Sequence, residues 1–447
     1  MKLKVNKVTR DLLLFTSSQF LHKIVGYFVF MILFRYLDKT KTGEFFFAAT
    51  LASFFALLTE FGTNNYLNRE VAQNCDKALR HLSEVISLRL PFMGFSFLVL
   101  NTLVFLFKPD LLTIVLLTSV YVFVGDLYYS FGALFIGLRR VTDRIITGLA
   151  GQLLLAGLVG ITVTLKGSLY AILSCYIFAN MVMVGITVHF VRRKIGKFGL
   201  LWDSNAARKV LRLSFPFFVL TVLGLIHFKV DTLMLGWMRS YAAVATYEAG
   251  FKLLEVSRFI VRPAAIIFFP MCSAMVASQA WLELKDLFRK LLLVTGTLGT
   301  VISLVVILMA AFIMSAVFGP KYGESVPILR VLYLTVPSLY VGFVSTFMAY
   351  ALHLEKSVMK IMPICVIVNI FLNSISIPLW GTYGAAWTTV ISETLFTVWL
   401  LRMIFQKLHA LPIRDFAKTS RISPLRPSVI VSKLNGSEGI VDHDATL

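Results

Sequence analysis

Apolar runs of membrane-spanning length recur along the whole chain, separated by short polar connections. Residues 90–107, 145–165, 167–191, 291–319, 331–354 and 361–392 contain no Asp, Glu, Lys or Arg. Each reaches the ~18 apolar residues that a helix needs to cross about 30 Å of hydrocarbon. Lipid offers no partners to backbone N–H and C=O groups, so a spanning segment must be a helix or belong to a closed barrel. Barrel strands alternate in polarity, and unbroken runs exclude them. The pattern predicts an all-α polytopic membrane protein with spans at 12–34, 45–66, 88–107, 111–137, 145–165, 168–191, 211–236, 243–270, 288–318, 328–352, 358–378 and 384–405.

Composition agrees: 58% of residues are hydrophobic and 15% charged, against roughly a quarter charged in a soluble domain. The formal charge is +20. With twelve crossings both termini share a side, and that side holds the great majority of the Lys and Arg in the connections. The positive-inside rule then makes both termini cytoplasmic. Topology and anionic lipid account for the charge, and no nucleic-acid partner is needed. The basic start (Lys2, Lys4, Lys7, Arg10) resembles a signal peptide, but the apolar run continues through Phe34 without a small-residue cleavage site and is expected to stay as the first helix. Cys75, Cys175, Cys272 and Cys365 are scattered, form no C-x-x-C pair, and read as small hydrophobes; no metal or cofactor is expected.

The densest basic segment, Arg192, Arg193, Lys194, Lys197, Arg208, Lys209 and Arg212, divides the spans six and six. The chain therefore reads as an N-terminal lobe at 1–200, a C-terminal lobe at 201–410 and a flexible cytoplasmic tail at 411–447. Internal similarity supports a repeat: residues 133–144 match the pattern of 349–360, and the small-residue starts at Gly167 and Gly384 follow at nearly the same offset. Paired repeats of this kind place a cavity between the halves, the ground plan of alternating-access transporters.

An ionisable residue near the centre of a membrane helix costs roughly 2.5–3.5 kcal/mol on insertion scales, so it should face water or a partner. The eighth span has five. Glu248, Lys252, Glu255, Arg258 and Arg262 step by four, three, three and four, within an arc of about 120°. Glu248 with Lys252 and Glu255 with Arg258 are placed to pair along the helix. Two readings follow: a self-neutralised ladder between helices, or a hydrated, net cationic wall for an anionic substrate, which the surplus of basic groups favours. Lys23, beside Gln19 and His22 near the middle of the first span, is the best second wall. Glu60, Lys229 and Asp231 are candidate coupling or gating residues, with Glu393 and Asp126 beside them; all lie within reach of expected helix ends. Arg89, close to the start of the third span, is accounted for by headgroup contact.

No P-loop, H-E-x-x-H, G-x-S-x-G or dinucleotide fingerprint is present, and the chain does not read as an enzyme. Several segments together resemble the polysaccharide flippase family, which moves lipid-linked oligosaccharide, within the larger exporter superfamily that also holds multidrug and toxic compound extruders and lipid II flippases. They are Arg35 to Gly43 between the first two spans, Glu60 to Gly62 with Arg69-Glu70, Asp231 to Gly236, Tyr247 to Leu254, Gly319 to Gly323 before Arg330, and Asn369, Asn373, Pro378 and Gly384. The resemblance implies two six-helix lobes around a cationic cavity, moving undecaprenyl-diphosphate-linked glycans outward across the inner membrane, with membrane lipid, a polysaccharide polymerase and other assembly proteins as partners. Asp231, Lys252 and Arg258 match polar positions of the family pattern, and Lys23 stands where a basic residue of the first helix is found. Arg239-Ser240 replaces the family's usual Gly-Pro type turn. The rival readings are a multidrug extruder, a lipid II flippase and a membrane glycosyltransferase or polymerase, the last disfavoured by the short outer connections.

Overall fold

The computed structural model describes residues 7–410, with side chains from 21 to 261 and from 268 to 410. Its helices, in chain order, are α1 (Lys7–Tyr36), α2 (Lys39–Glu60), α3 (Thr63–Gln73), α4 (Ala78–Phe107), α5 (Leu112–Gly137), α6 (Val141–Thr164), α7 (Leu169–Lys194), α8 (Ser204–Met238), α9 (Tyr241–Ala277), α10 (Trp281–Phe318), α11 (Ser325–Tyr333), α12 (Val336–Ala351), α13 (Glu355–Trp380) and α14 (Thr382–Ala410). Every element among the described residues is helical. Nine of the helices are long and apolar enough to cross a membrane, ten when α11 and α12, bent by 40°, count as one broken span. This is a multi-pass membrane protein. The remaining two expected spans fall on α1 and α9, the latter carrying the charged stripe.

Local chemistry sets the helix starts. Asp38, Ser168, Asp203 and Ser240 cap α2, α7, α8 and α9, their side chains accepting the backbone N–H of Lys41 (2.8 Å), Ala171 (3.4 Å), Asn205 (2.9 Å) and Ala243 (3.2 Å). The Arg239-Ser240 turn thus closes without glycine or proline: Ser240 caps α9 while the Arg239 guanidinium donates to the carbonyls of Ile377 (3.0 Å) and Pro378 at the end of α13. Two expected spans are interrupted. The second ends at Glu60, where Phe61 and Gly62 take positive φ (43° and 73°) and α3 departs in a new direction. The tenth breaks between Tyr333 and Val336.

Large apolar side chains lie both in the core and on the outer faces of the helices. On α10, Leu293, Leu304, Leu308 and Phe312 are exposed, while Thr295, Gly299 and Ser303 are buried. Ser303 Oγ donates to the Tyr333 carbonyl (2.7 Å). Apolar side chains meet lipid at no cost, and small or hydroxyl-bearing residues let helices approach one another.

The two halves of the helix list repeat one pattern of neighbours. α1 packs on α6, α2 on α4 and α5, α5 on α4 and α7, and α6 on α7; likewise α8 packs on α13, α9 on α10 and α12, α12 on α10 and α14, and α13 on α14. The left-handed turn residues Arg139 (φ 56°) and His353 (φ 57°) occupy the same place in the two hairpins. That sets the correspondence two residues away from the one the sequence match suggests, in which Arg139 falls on Glu355.

The halves meet chiefly through α2, which packs on both α8 and α9. Gly43 makes this possible: a Cβ there would collide with the backbone carbonyl of Tyr241. At the far end of the bundle, where α1 turns into α2, the Phe34 ring packs on Phe318 (4.7 Å between centroids) and Tyr322 (5.3 Å), and polar contacts surround them. Arg35 donates to the carbonyls of Ala316 and Val317 (3.0 Å to the latter), Lys321 to those of Arg35 (3.1 Å) and Leu37, and Lys39 pairs with Glu324 (2.6 Å). At the near end, where α1 begins, α2 to α4 meet α8 and its approach: Phe61 stacks on Phe218 (4.3 Å between centroids), and Leu201 N–H donates to Ser87 (2.8 Å).

Candidate functional site

A cavity of about 470 Å³ lies between the halves. Its wall takes His22, Lys23 and Tyr27 from α1, Tyr121 from α5, Gln152 from α6, Tyr176 and Asn180 from α7, Phe228 from α8, and Lys252, Glu255, Arg258 and Phe259 from α9. The expected meeting of Lys23 with the α9 stripe is therefore present, and Lys23 Nζ sits 5.4 Å from the centre of the Phe259 ring.

The stripe itself is a ladder of ion pairs. Glu248, fully buried, accepts from Thr232 Oγ1 and from Lys229 Nζ (3.1 and 3.2 Å). Lys229 also reaches Glu255 (3.2 Å), which binds Lys252 at 2.8 Å, while Lys252 stands 4.0 Å from Glu248. Glu255 is thus shared by two lysines rather than paired with Arg258. Arg258 reaches across to Glu393 of α14 (2.7 Å), lies over the Phe228 ring, and has His227 beside the same carboxylate (3.5 Å).

With Lys229 and Glu393 included, the described side chains of the ladder comprise three basic and three acidic groups; Arg262, which gives the expected stripe its cationic surplus, is not among them. Lys229 and Glu393 are interior rather than terminal, with side chains 15% and 12% exposed, and neighbouring helices supply what one helix's spacing cannot show. Lys23 adds positive charge from the other half. The side chains of Arg262 and Gln19 lie outside the described residues. Along α9 the ladder becomes wetter toward the near end, from Glu248 at 0% through Lys252 at 11% and Glu255 at 19% to Arg258 at 27% side-chain exposure.

The other candidates separate. Asp231 is buried among four helices, its carboxylate accepting from Tyr247 Oη (2.7 Å), Thr389 Oγ1 (2.9 Å) and Asn373 Nδ2 (2.6 Å). Asn369 supports Asn373 (3.1 Å) and is itself held near Ser392 (3.0 Å). Glu60 serves the backbone: its oxygens accept the N–H groups of Gly62 and Asn64 (both 3.1 Å) at the start of α3. Lys23 lies near the middle of α1. His22 and Lys23 share a cavity wall with Arg144 and Gly148, which stand near the start of α6.

Arg89 overturns the headgroup expectation. It is 1% exposed and bonds to the Asp126 carboxylate, to Ser130 Oγ and to Asn64 Oδ1 (3.0 Å), while Thr59 Oγ1 also donates to Asp126 (2.8 Å). Two opposite charges inside adjacent apolar runs were the signal for this pair.

Residues 8–276 match the family described as polysaccharide biosynthesis protein. The chain belongs to that family. Among curated proteins, the chain is similar to the probable flippase AglR of Haloferax volcanii, 27% identical over 188 residues; the match spans 41% of this chain and 39% of that relative's length. Among solved structures, the fold of this family member resembles a lipid II flippase, MurJ, in an inward closed conformation (TM-score 0.66, 16% identity, 89% of each chain). It also resembles an inward-facing multidrug resistance MATE family transporter of the MOP superfamily (TM-score 0.68, 13% identity, 88% of this chain and 96% of the other).

Proposed function

We propose that this protein carries polyprenyl-diphosphate-linked oligosaccharide from the cytoplasmic to the outer leaflet of the inner membrane by alternating access, for polysaccharide biosynthesis. With α1 and α9 counted among the spans there are twelve, and the basic connections assign the near end, with both termini, to the cytoplasm. The two repeated sets of neighbours are then lobes, joined by the linker before α8. The far-end contacts close the outward side, and the wetter end of the α9 ladder faces inward.

The observation that carries this reading is the cavity between the lobes, walled by Lys23 on one side and Lys252, Glu255 and Arg258 on the other. Its ~470 Å³ suits a diphosphate with its adjoining sugar, while the polyprenyl tail stays in lipid. Arginine and lysine bind phosphate oxygens by charge-assisted hydrogen bonds, and the ladder lets each release its carboxylate as the phosphate arrives. No bond is made or broken. Asp231, a buried carboxylate bound by side chains of α9, α13 and α14, is the coupling group: gain or loss of a proton or sodium ion there would alter the packing of α8 against the other three helices.

The test is a Lys252→Gln, Arg258→Gln double variant, with membrane insertion checked by fractionation. Lipid-linked oligosaccharide should accumulate on the cytoplasmic leaflet and surface glycan should disappear; undiminished glycan display rejects the reading. The three carboxylates among the ladder's described side chains keep multidrug extrusion as the second reading, since they weaken the bias against cations. A deletion strain with altered drug sensitivity and normal glycan export would favour that alternative.

A further inference from the structure

A smaller cavity, of about 190 Å³, lies beside the central one between α1, α5 and α6. Its wall brings together His22, Lys23 and Arg144 with Tyr128 and Tyr129. The Arg144 side chain runs along α5, close enough to Gly132 that a Cβ there would meet its Nε at 3.3 Å. The next turn of α6 is pinned by Tyr128 Oη, which donates to the Arg144 carbonyl (3.0 Å). Lys23 and Arg144 both act electrostatically on His22, so the three groups share one field. His22 and Lys23 also line the central cavity, which makes them a common wall. Lys23 and Tyr129 are exposed, so the small cavity is not sealed.

We propose that this cavity is an entry subsite for the phosphate group of a membrane amphiphile, from which Lys23 leads into the central cavity. The proposal rests on the reading of the chain as a lipid-linked glycan carrier and adds Arg144 to the residues that meet the substrate. Arg144 stands in the first turn of α6, at headgroup depth on the cytoplasmic side, where a diphosphate begins its passage. The space is below the 300–1,000 Å³ of ordinary ligand pockets, too small for a glycan. A guanidinium fork suits two phosphate oxygens, with an ammonium and a tyrosine hydroxyl at hand for others.

The test uses the full-length protein in phosphatidylcholine nanodiscs, titrated with geranylgeranyl diphosphate and followed by the rise in melting temperature that binding to the folded state produces. Arg144→Gln should weaken apparent affinity at least about tenfold, as expected for the loss of a charge-assisted contact. Ile145→Glu, which sets a carboxylate on the same wall, should do likewise, and Arg144→Lys should retain part of the affinity. The same Arg144 effect should persist in the Lys252→Gln, Arg258→Gln background. Competition by phosphatidylglycerol in the disc would identify an ordinary lipid headgroup as the occupant, and its absence the polyprenyl diphosphate; either supports a phosphate site. Wild-type affinity in both Arg144→Gln and Ile145→Glu overturns the subsite. Failure of the carrier reading shows differently, as normal diphosphate binding with undiminished export from the Lys252, Arg258 double variant.

Discussion

Replacing Asp126 by leucine should be among the most damaging single changes in the first half of the chain. Arg89 is 1% exposed, and its charge is answered by the Asp126 carboxylate. The Ser130 and Asn64 oxygens would remain, but they are neutral. Stripping one partner from a buried ion pair costs about 3–5 kcal/mol; the Glu60 carboxylate, which also acts on Arg89, is already committed to the backbone N–H groups of Gly62 and Asn64. Thr59 loses one acceptor and keeps the Ala56 carbonyl (2.7 Å), so its share is small. The pair exchanged together, Arg89→Met with Asp126→Leu, carries no orphaned charge and should return to within about 1–2 kcal/mol of the parent. Unfolding by SDS titration in dodecyl maltoside micelles, followed by circular dichroism, measures the three variants. If Asp126→Leu lies within about 1 kcal/mol of the parent, or if the double variant is no more stable than the single, the pair is not what Arg89 needs and the argument is wrong.

Four further outcomes follow from the same geometry. Glu393→Gln should leave Arg258 and His227 without their carboxylate and reduce glycan export by about tenfold or more, with insertion intact by membrane fractionation. Asp231→Asn should abolish gradient-driven export in inverted vesicles while lowering thermal stability by no more than about 2 kcal/mol, because an amide oxygen still accepts from Tyr247 and Thr389 and a buried charge is removed, against the loss of the Asn373 amide's bond, which now meets an NH2. Gly43→Leu should lower the yield of folded protein on size-exclusion chromatography sharply, since the added side chain meets the Tyr241 backbone, which cannot give way as a side chain can. Cysteines at Lys39 and Glu324, whose side chains meet at 2.6 Å, should halt export when bridged by a bifunctional methanethiosulfonate and recover it on reduction; continued export while bridged would mean that the far end does not open.

The fold was legible because membrane helices announce themselves locally. A run such as 291–319 needs no partner to be recognised, and α10 indeed spans Trp281–Phe318. What escaped were the interruptions. The break at Phe61–Gly62 depends on Glu60 turning back to cap α3, and the bend between α11 and α12 comes at Leu334–Thr335, inside a run as apolar as its neighbours. The internal repeat was visible, but its register was two residues off, since small and aliphatic residues align almost as well one way as another.

The site was half legible for a related reason. Periodicity on one helix gathers Glu248, Lys252, Glu255 and Arg258 on one face, and α9 does present Lys252, Glu255 and Arg258 to the cavity. Charge balance, however, belongs to the assembled bundle. Lys229 arrives from α8 and Glu393 from α14; both were candidates in the sequence, Lys229 for coupling or gating, but nothing in one helix's spacing joins them to the stripe. Their arrival changes what the ladder can do. A wall of bare cations would hold a diphosphate tightly and release it poorly. A ladder whose cations each have a carboxylate within reach can exchange partners in both directions, so the difference in free energy between loaded and empty states stays small. For a carrier that must bind on one side of a membrane and let go on the other, only the differential affinity of the two states moves the substrate. On this argument Glu255 and Glu393 matter as much as Lys252 and Arg258. Neutralising both carboxylates should tighten binding of a polyprenyl diphosphate in detergent while slowing its export. Weakened binding with unchanged export would refute the exchange.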